Sequence, residues 1–187
     1  MDKKQNAWNI FYYVIIAAMA VLLLCEIGLR FFFFEVEVVG SSMAETLSDG
    51  ETLIVNRYGK AERGRIVIID VPDRLADAFT GETLVKRIVA IEGDTVCCRS
   101  GVLYLKKEGE TDFTPIQEDY VSSKTPNFSE VTLEEGEIYC LGDNRAFSKD
   151  STEVGPFSIT DLHGYLDENG IRLSRAGVWS AILKFLI

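Results

Sequence analysis

The feature that most constrains this chain is an apolar run near its start. No charged residue occurs from Gln5 to Cys25, and Ala7 to Cys25 is almost wholly apolar. About 20 helical residues, rising ~1.5 Å each, cross a ~30 Å hydrocarbon core. Cleaved signal peptides and buried core helices carry apolar runs too. A signal peptide, however, joins a shorter apolar region to a small-x-small cleavage site. Here the only such triplet, Ala18-Met19-Ala20, lies inside the run, and Glu26, Arg30 and Phe31 to Phe34 follow it. The expectation is an N-terminal piece over 1–6, an uncleaved transmembrane anchor over 7–30, and a separate domain over 31–187. Lys3 and Lys4 precede the span, whereas Glu26 and Arg30 cancel after it. The positive-inside tendency therefore leaves the N-terminus cytoplasmic and puts the domain across the membrane.

The chain carries a formal net charge of −10, and all of that acidic excess lies beyond residue 34. Such a domain repels phosphate backbones, so nucleic acid is not an expected partner. Four cysteines form no convincing framework: Cys25 belongs to the span, Cys97 and Cys98 are adjacent, and Cys140 stands alone in an apolar run. Zinc spacing is absent and there is one histidine, so the cysteines read as packing residues and no metal is expected.

Beyond the apolar run, Phe31 to Phe34 fit the headgroup region and Glu35 to Val38 alternates like a strand. Short β-rich runs then recur: Thr52 to Val55, Ile66 to Val71, Thr83 to Ile91, Gly101 to Leu105 and Glu137 to Leu141. Glycines punctuate them, which predicts a mainly β domain of antiparallel sheets. Residues 106–135 are polar and weakly patterned and read as a loop-rich insertion. The final segment, Val178 to Ile187, is apolar but too short to span; a packed helix and interfacial membrane contact both fit it.

His163 lies in a turn-like context with no marked serine or acid beside it, and reads as structural or surface. A hydrolase built on this chain needs another base, and lysine is next. An ordinary lysine with a pKa near ~10.4 is almost fully protonated at neutral pH, and desolvation is what lowers it. Lys86 is the lysine placed for that. If Thr83 to Ile91 is a strand, Leu84, Lys86, Ile88 and Ala90 share one face, with Val85, Arg87 and Val89 on the other. A lysine whose stem lies along a sheet while its head reaches water gives the same pattern. Ser42 follows a strand and a glycine in Gly40-Ser41-Ser42-Met43, where a turn can aim backbone amides at a reacting carbonyl. Ordinary turns contain such pairs as well. A third segment, Tyr139 to Ser151, ends a strand in a dense turn of carboxylates, an arginine and hydroxyls, suited to self-tied turn structure or to supporting a site.

These three segments, in this order behind one apolar span, resemble bacterial type I signal peptidases, the serine-lysine peptidases of the S26 family. The matching stretches are Gly40-Ser41-Ser42-Met43-Ala44-Glu45-Thr46-Leu47, Val85-Lys86-Arg87-Ile88-Val89-Ala90-Ile91-Glu92-Gly93-Asp94, and Gly142-Asp143-Asn144-Arg145 with Ser148, Asp150, Ser151 and Gly155. The resemblance implies a signal-peptidase/LexA-like antiparallel β catalytic domain. It makes Ser42 the nucleophile and Lys86 the general base, with Ser148 orienting the lysine amine. Asp143, Arg145 and Asp150 would support the site. Gly40 looks like the Gram-positive form, with the oxyanion held by backbone amides, chiefly that of Ser42. Val38, Val39, Met43, Leu84 and Val85 match positions lining shallow pockets for small residues at −1 and −3 of a preprotein signal peptide, bound extended against a strand edge. No cofactor, metal or nucleotide is implied; the partners are preprotein and lipid bilayer.

Four positions depart from the family pattern. Glu45 and Glu92 stand where proline is usual, Arg65 replaces an aspartate, and Thr152 replaces an arginine that pairs with the late carboxylate. The expected consequences are an underpaired Asp150, with Arg145 as substitute partner, and a Glu45 charge that favours protonated Lys86. The alternative reading is a specialised or non-catalytic homologue assisting pilin or surface-protein assembly. A self-cleaving repressor protease of the LexA type shares the dyad and fold, but carries a DNA-binding domain where this chain has its apolar span.

Overall fold

The computed structural model describes residues 3–79, 83–166 and 172–173. The chain divides into two compact units, Met1–Phe34 and Glu35–Ile187. In the first, helix α1 runs Lys3–Phe32 and includes an apolar stretch, Trp8–Phe32, long enough to cross a membrane. Its large side chains, among them Trp8, Phe11, Leu22 and Leu29, are exposed all round the helix. A helix apolar on every side has no stable place in water.

The second unit is mainly β. Its strands are β1 (Phe33–Glu37, beginning at the unit boundary), β2 (Thr52–Asn56), β3 (Ile66–Asp70), β4 (Thr83–Ile91), β5 (Thr95–Arg99) and β6 (Val102–Lys106). They continue with β7 (Thr114–Pro115), β8 (Phe128–Thr132), β9 (Glu137–Leu141), β10 (Phe157–Ser158), β11 (Leu162–Leu166) and β12 (Arg172–Leu173). The larger sheet has the order β1-β2-β11-β3-β4-β9-β10, with β12 on β2, and the smaller has β7-β6-β5-β8. Every pair whose register is described is antiparallel. Among the described residues of this unit, the helices are short: a 3-10 turn at Asp73–Ala78, α2 at Ser151–Val154 and a 3-10 turn at Ile159–Asp161.

Sequence alternation explains which faces are buried. In β2, Leu53 and Val55 point inward while their neighbours stay partly exposed. The run Ile66 to Ile69 in β3 is buried on both faces, as a central strand requires. One core, with Val89, Ala90, Val96, Leu103, Tyr139 and Leu141, joins the two sheets. Another, with Val67, Ile69, Ile88, Cys140 and Phe157, covers the opposite face of the larger sheet.

Three sequence expectations change here. Ala90 does not share the face of Lys86 and Ile88, because β4 bulges: Ile88 pairs with Cys140 but Ala90 pairs with Tyr139. Two residues there oppose one, so Val89 and Ala90 both enter the core between the sheets. Residues 106–135 contain β7 and β8 between irregular stretches. His163 sits not in a turn but on β11, at a bulge between Leu162 and Gly164. It is half-exposed, with Nδ1 2.8 Å from Asp70 Oδ2. The cysteines are unbridged and, except for Cys25, buried. The apolar C-terminal segment from Val178 lies outside the described residues.

Candidate active site

The nucleophile candidate sits on a closed loop. Val38 ties both ends of it, donating its N–H to Glu51 O (2.8 Å) and accepting at its carbonyl from Gly50 N–H (2.8 Å). Within it, Ala44 N–H donates to Ser41 O and Leu47 N–H to Met43 O, forming tight successive turns. Met43 and Leu47, four residues apart, plug this coil into the domain and are almost wholly buried. Ser42, beside Met43, is left half-exposed. The chain enters through Gly40 at φ +90°, a left-handed conformation costly for any residue with a Cβ. Gly40 N–H is fixed by Asp49 Oδ1 at 2.8 Å.

The base candidate arrives from the sheet. Lys86 lies on β4 opposite Val67 of β3, on the face that carries Leu84, Ile88 and Cys140. Only 3% of it is exposed, and its Nζ donates to Ser42 Oγ at 2.7 Å. Burial lowers the amine's pKa from 10.5 to about 8, against the opposing charges of Asp150 and, more weakly, Asp143. The stem of Lys86 therefore does not lead a head into water. Ser41 contributes no side-chain contact to this pair; its carbonyl accepts from Asn144 Nδ2 at 3.0 Å.

The turn after β9 holds the loop in place. Asn144 N–H donates to Ser42 O at 3.0 Å, so together with its side chain it grips two consecutive carbonyls of the nucleophile loop. Asp143 is fully buried between Arg87, which donates Nε and Nη2 at 2.9 and 2.7 Å, and the Thr46 hydroxyl. Burial disfavours the Arg87 charge, but the hydrogen bond and charge of Asp143 hold its pKa above the ordinary value. Gly142 is needed for close approach: a Cβ there collides with Ser148 Oγ and Ser42 O. Ser148 Oγ is buried and makes no hydrogen bond, to Lys86 or to any other group.

Two expectations about charge do not hold. Asp150 is not underpaired, because Gly142 N–H, Thr152 N–H and the Thr152 hydroxyl all donate to it, at 2.9, 3.1 and 2.8 Å. The residue that replaces the family's arginine thus satisfies the carboxylate, and Asp150 serves as the N-cap of α2. Arg145 takes no part; it forks onto Glu118 and donates Nε to Gly142 O at 2.9 Å. Glu45 is exposed and is not among the charges that act on Lys86. Its backbone adopts φ +82°, which proline, locked near −65°, does not reach.

Of the residues expected to line shallow pockets, Val38 and Met43 are buried, Leu84 and Val85 are half-buried on β4, and Val39 is 85% exposed. Pairing of β4 with β9 begins only at Arg87, so Thr83 to Lys86 have β3 on one side and no described strand on the other. Sequence reasoning missed Asn144, Thr46, Arg87 and Glu118. The available signals were that Thr46, Arg87 and Asn144 lie within the stretches that carry the resemblance, and that Arg87 adjoins Lys86 and faces the other way. Among the described residues, no cluster of side chains is suited to hold a metal ion.

Comparisons with known proteins agree on kinship. The family model for signal peptidase, peptidase S26, matches residues 8–168. Signal peptidase I T of Bacillus subtilis is 35% identical over 163 residues, covering 80% of this chain and 77% of that one. Signal peptidase I of Bacillus licheniformis is 34% identical over 166 residues, covering 80% of each. Probable signal peptidase I-1 of Synechocystis is 31% identical over 158 residues, covering 80% and 78%. The chain belongs to the signal peptidase family, the serine endopeptidases of peptidase group S26.

Proposed function

We propose that this protein is a membrane-anchored type I signal peptidase that removes signal peptides from preproteins through a Ser42–Lys86 dyad. The observation that carries the reading is the 2.7 Å contact between a buried lysine amine and the hydroxyl of a half-exposed serine. With a pKa of about 8, Lys86 is partly neutral at physiological pH, and its free lone pair accepts the Ser42 proton. Ser42 Oγ then attacks the scissile carbonyl. The Ser42 amide, two residues after the left-handed Gly40, stabilises the oxyanion. Protonated Lys86 gives its proton to the leaving amine, and neutral Lys86 then activates the water that releases the acyl group. Ser148, the residue expected to orient the amine, makes no hydrogen bond to Lys86 and is given no step here.

The open side of Thr83 to Lys86 is where an extended signal peptide adds as a strand, its small residues against Leu84, Val85 and Val39. Helix α1 crosses the bilayer with Lys3 and Lys4 in the cytoplasm, and residues 31–187 act on the far side. A second, specialised reading has one observation in its favour. The turn beside Ser42 is built on a left-handed Glu45 and cannot be the turn that proline makes.

The test is cleavage of a preprotein with an Ala-x-Ala site by the detergent-solubilised protein. Wild type and Ser41→Ala cleave it, whereas Ser42→Ala and Lys86→Ala lose at least about 1,000-fold in kcat. Cleavage by Lys86→Ala at near wild-type rate overturns the dyad. Inactivity of the wild type toward several such preproteins moves the protein to the specialised reading.

A further inference from the structure

The segment between β7 and β8 has no role in the reaction as described so far, yet its side chains reach both arginines behind the site. Glu118 receives the Arg145 guanidinium on both carboxylate oxygens, with Nη1 to Oε2 at 2.9 Å. Arg145 is 1% exposed and Glu118 10%, so this pair lies inside the domain. The Arg145 Nη1 also donates to the Thr125 hydroxyl. Tyr120 OH donates to Glu118 Oε1 at 2.8 Å, and its ring lies 4.0 Å beneath the Arg87 guanidinium. Burial and then Glu118 push the Tyr120 pKa up, which keeps the phenol a donor.

Both arginines lead onward to the reacting residues. Arg145 Nε holds Gly142 O, and Gly142 packs against Ser42 O. Arg87 holds Asp143, and Asp143 holds Thr46 in the nucleophile loop. A buried guanidinium has no water to replace a lost carboxylate, so each link depends on the one behind it.

We propose that Glu118 and Tyr120 are positioning residues for Ser42, acting through Arg145 and Arg87 on the turn after β9 and the nucleophile loop. This rests on the Ser42–Lys86 reading only for its kinetic consequence. Loosening the clamp leaves the peptide-binding edge of β4 in place but shifts Ser42 against Lys86, so kcat suffers rather than KM. A misplacement of about 1 Å costs on the order of 100-fold in rate.

The test compares full-length wild type, Glu118→Ala, Glu118→Gln, Tyr120→Leu and Tyr120→Phe, with Gln117→Ala as a neighbour outside the network. Amide hydrogen exchange is read first, because it needs no substrate. In Glu118→Ala and Tyr120→Leu, exchange rises about tenfold or more in residues 40–47 and 142–148 while β5 and β6 keep their protection. In the same two variants kcat for an Ala-x-Ala preprotein falls about tenfold or more, with KM within about twofold. Tyr120→Phe, which keeps the ring under Arg87, and Glu118→Gln, which keeps an acceptor for Arg145, lose less; Gln117→Ala matches wild type. Unchanged exchange and kcat in folded Glu118→Ala and Tyr120→Leu overturn the proposal. So does a rise in exchange spread over the whole domain. If Glu118→Ala does not fold, Tyr120→Leu decides by the same readouts. Local exchange changes in a protein whose wild type cleaves nothing leave the clamp standing and overturn the proposed reaction instead.

Discussion

The two halves of the site are held in opposite ways. Lys86 belongs to a strand bonded in regular register, and its place follows from the sheet. Ser42 belongs to a loop whose geometry is set by Asn144, Asp143 and Arg87, which come from elsewhere in the chain. The strand supplies burial, which sets the chemistry of the amine. The side-chain ties supply position, which sets where the hydroxyl points. Changes around the strand should therefore move a pKa, and changes in the ties should move a geometry.

The strongest way to break this division is to remove a tie that also neutralises a buried charge. Asp143→Ala leaves Arg87 buried without its carboxylate and Thr46 without its acceptor. The expected loss is about 3–5 kcal/mol of unfolding free energy, read by urea titration. A loss under about 1 kcal/mol would show that the tie is not structural. Lys86→Met tests the other half and works in the opposite direction. A lysine whose folded pKa is lowered to about 8 destabilises the domain wherever the unfolded chain holds its proton. The penalty is full below pH 8 and disappears as pH rises through about 10.5. Lys86→Met is thus expected to be inactive but more stable than wild type at pH 7, by up to about 3 kcal/mol. That advantage shrinks between pH 8 and 10.5; a constant difference contradicts the desolvation account. Asn144→Ala removes one of two grips on the loop and should lower kcat about tenfold with little change in melting temperature. Glu45→Gly is the mildest change, relieving the left-handed backbone and adding about 1 kcal/mol.

The same division decided what could be read in the sequence. Alternation along Thr83 to Ile91 put Lys86 among apolar neighbours, and the sheet has it there, because register is a local property of a strand. That rule failed at Ala90, where one extra residue opposite Tyr139 slips the faces, and nothing local marks the slip. The strand Phe128–Thr132 was hidden in a polar stretch because most of its side chains are exposed. Ser42 stood out only through the family resemblance, since a serine pair in a turn has no pattern of its own. The partner of Arg145 was illegible for a related reason. Glu118 lies 27 residues upstream in a weakly patterned segment, whereas Asp150 was near and acidic. Asp150 had already been satisfied by Thr152, a hydroxyl two residues on.

The most direct test of the central claim, a base made neutral by burial, is the pH dependence of kcat/KM for one Ala-x-Ala preprotein. It should be measured from about pH 6 to about 11, for wild type and Asp150→Asn. Lys86 is expected to give a single rising limb centred at about 8, as the amine loses its proton. Asp150→Asn removes the charge that most favours the protonated amine, so its limb moves to lower pH. A limb centred near 10.5, the ordinary lysine value, contradicts the claim. So does a limb that Asp150→Asn moves upward.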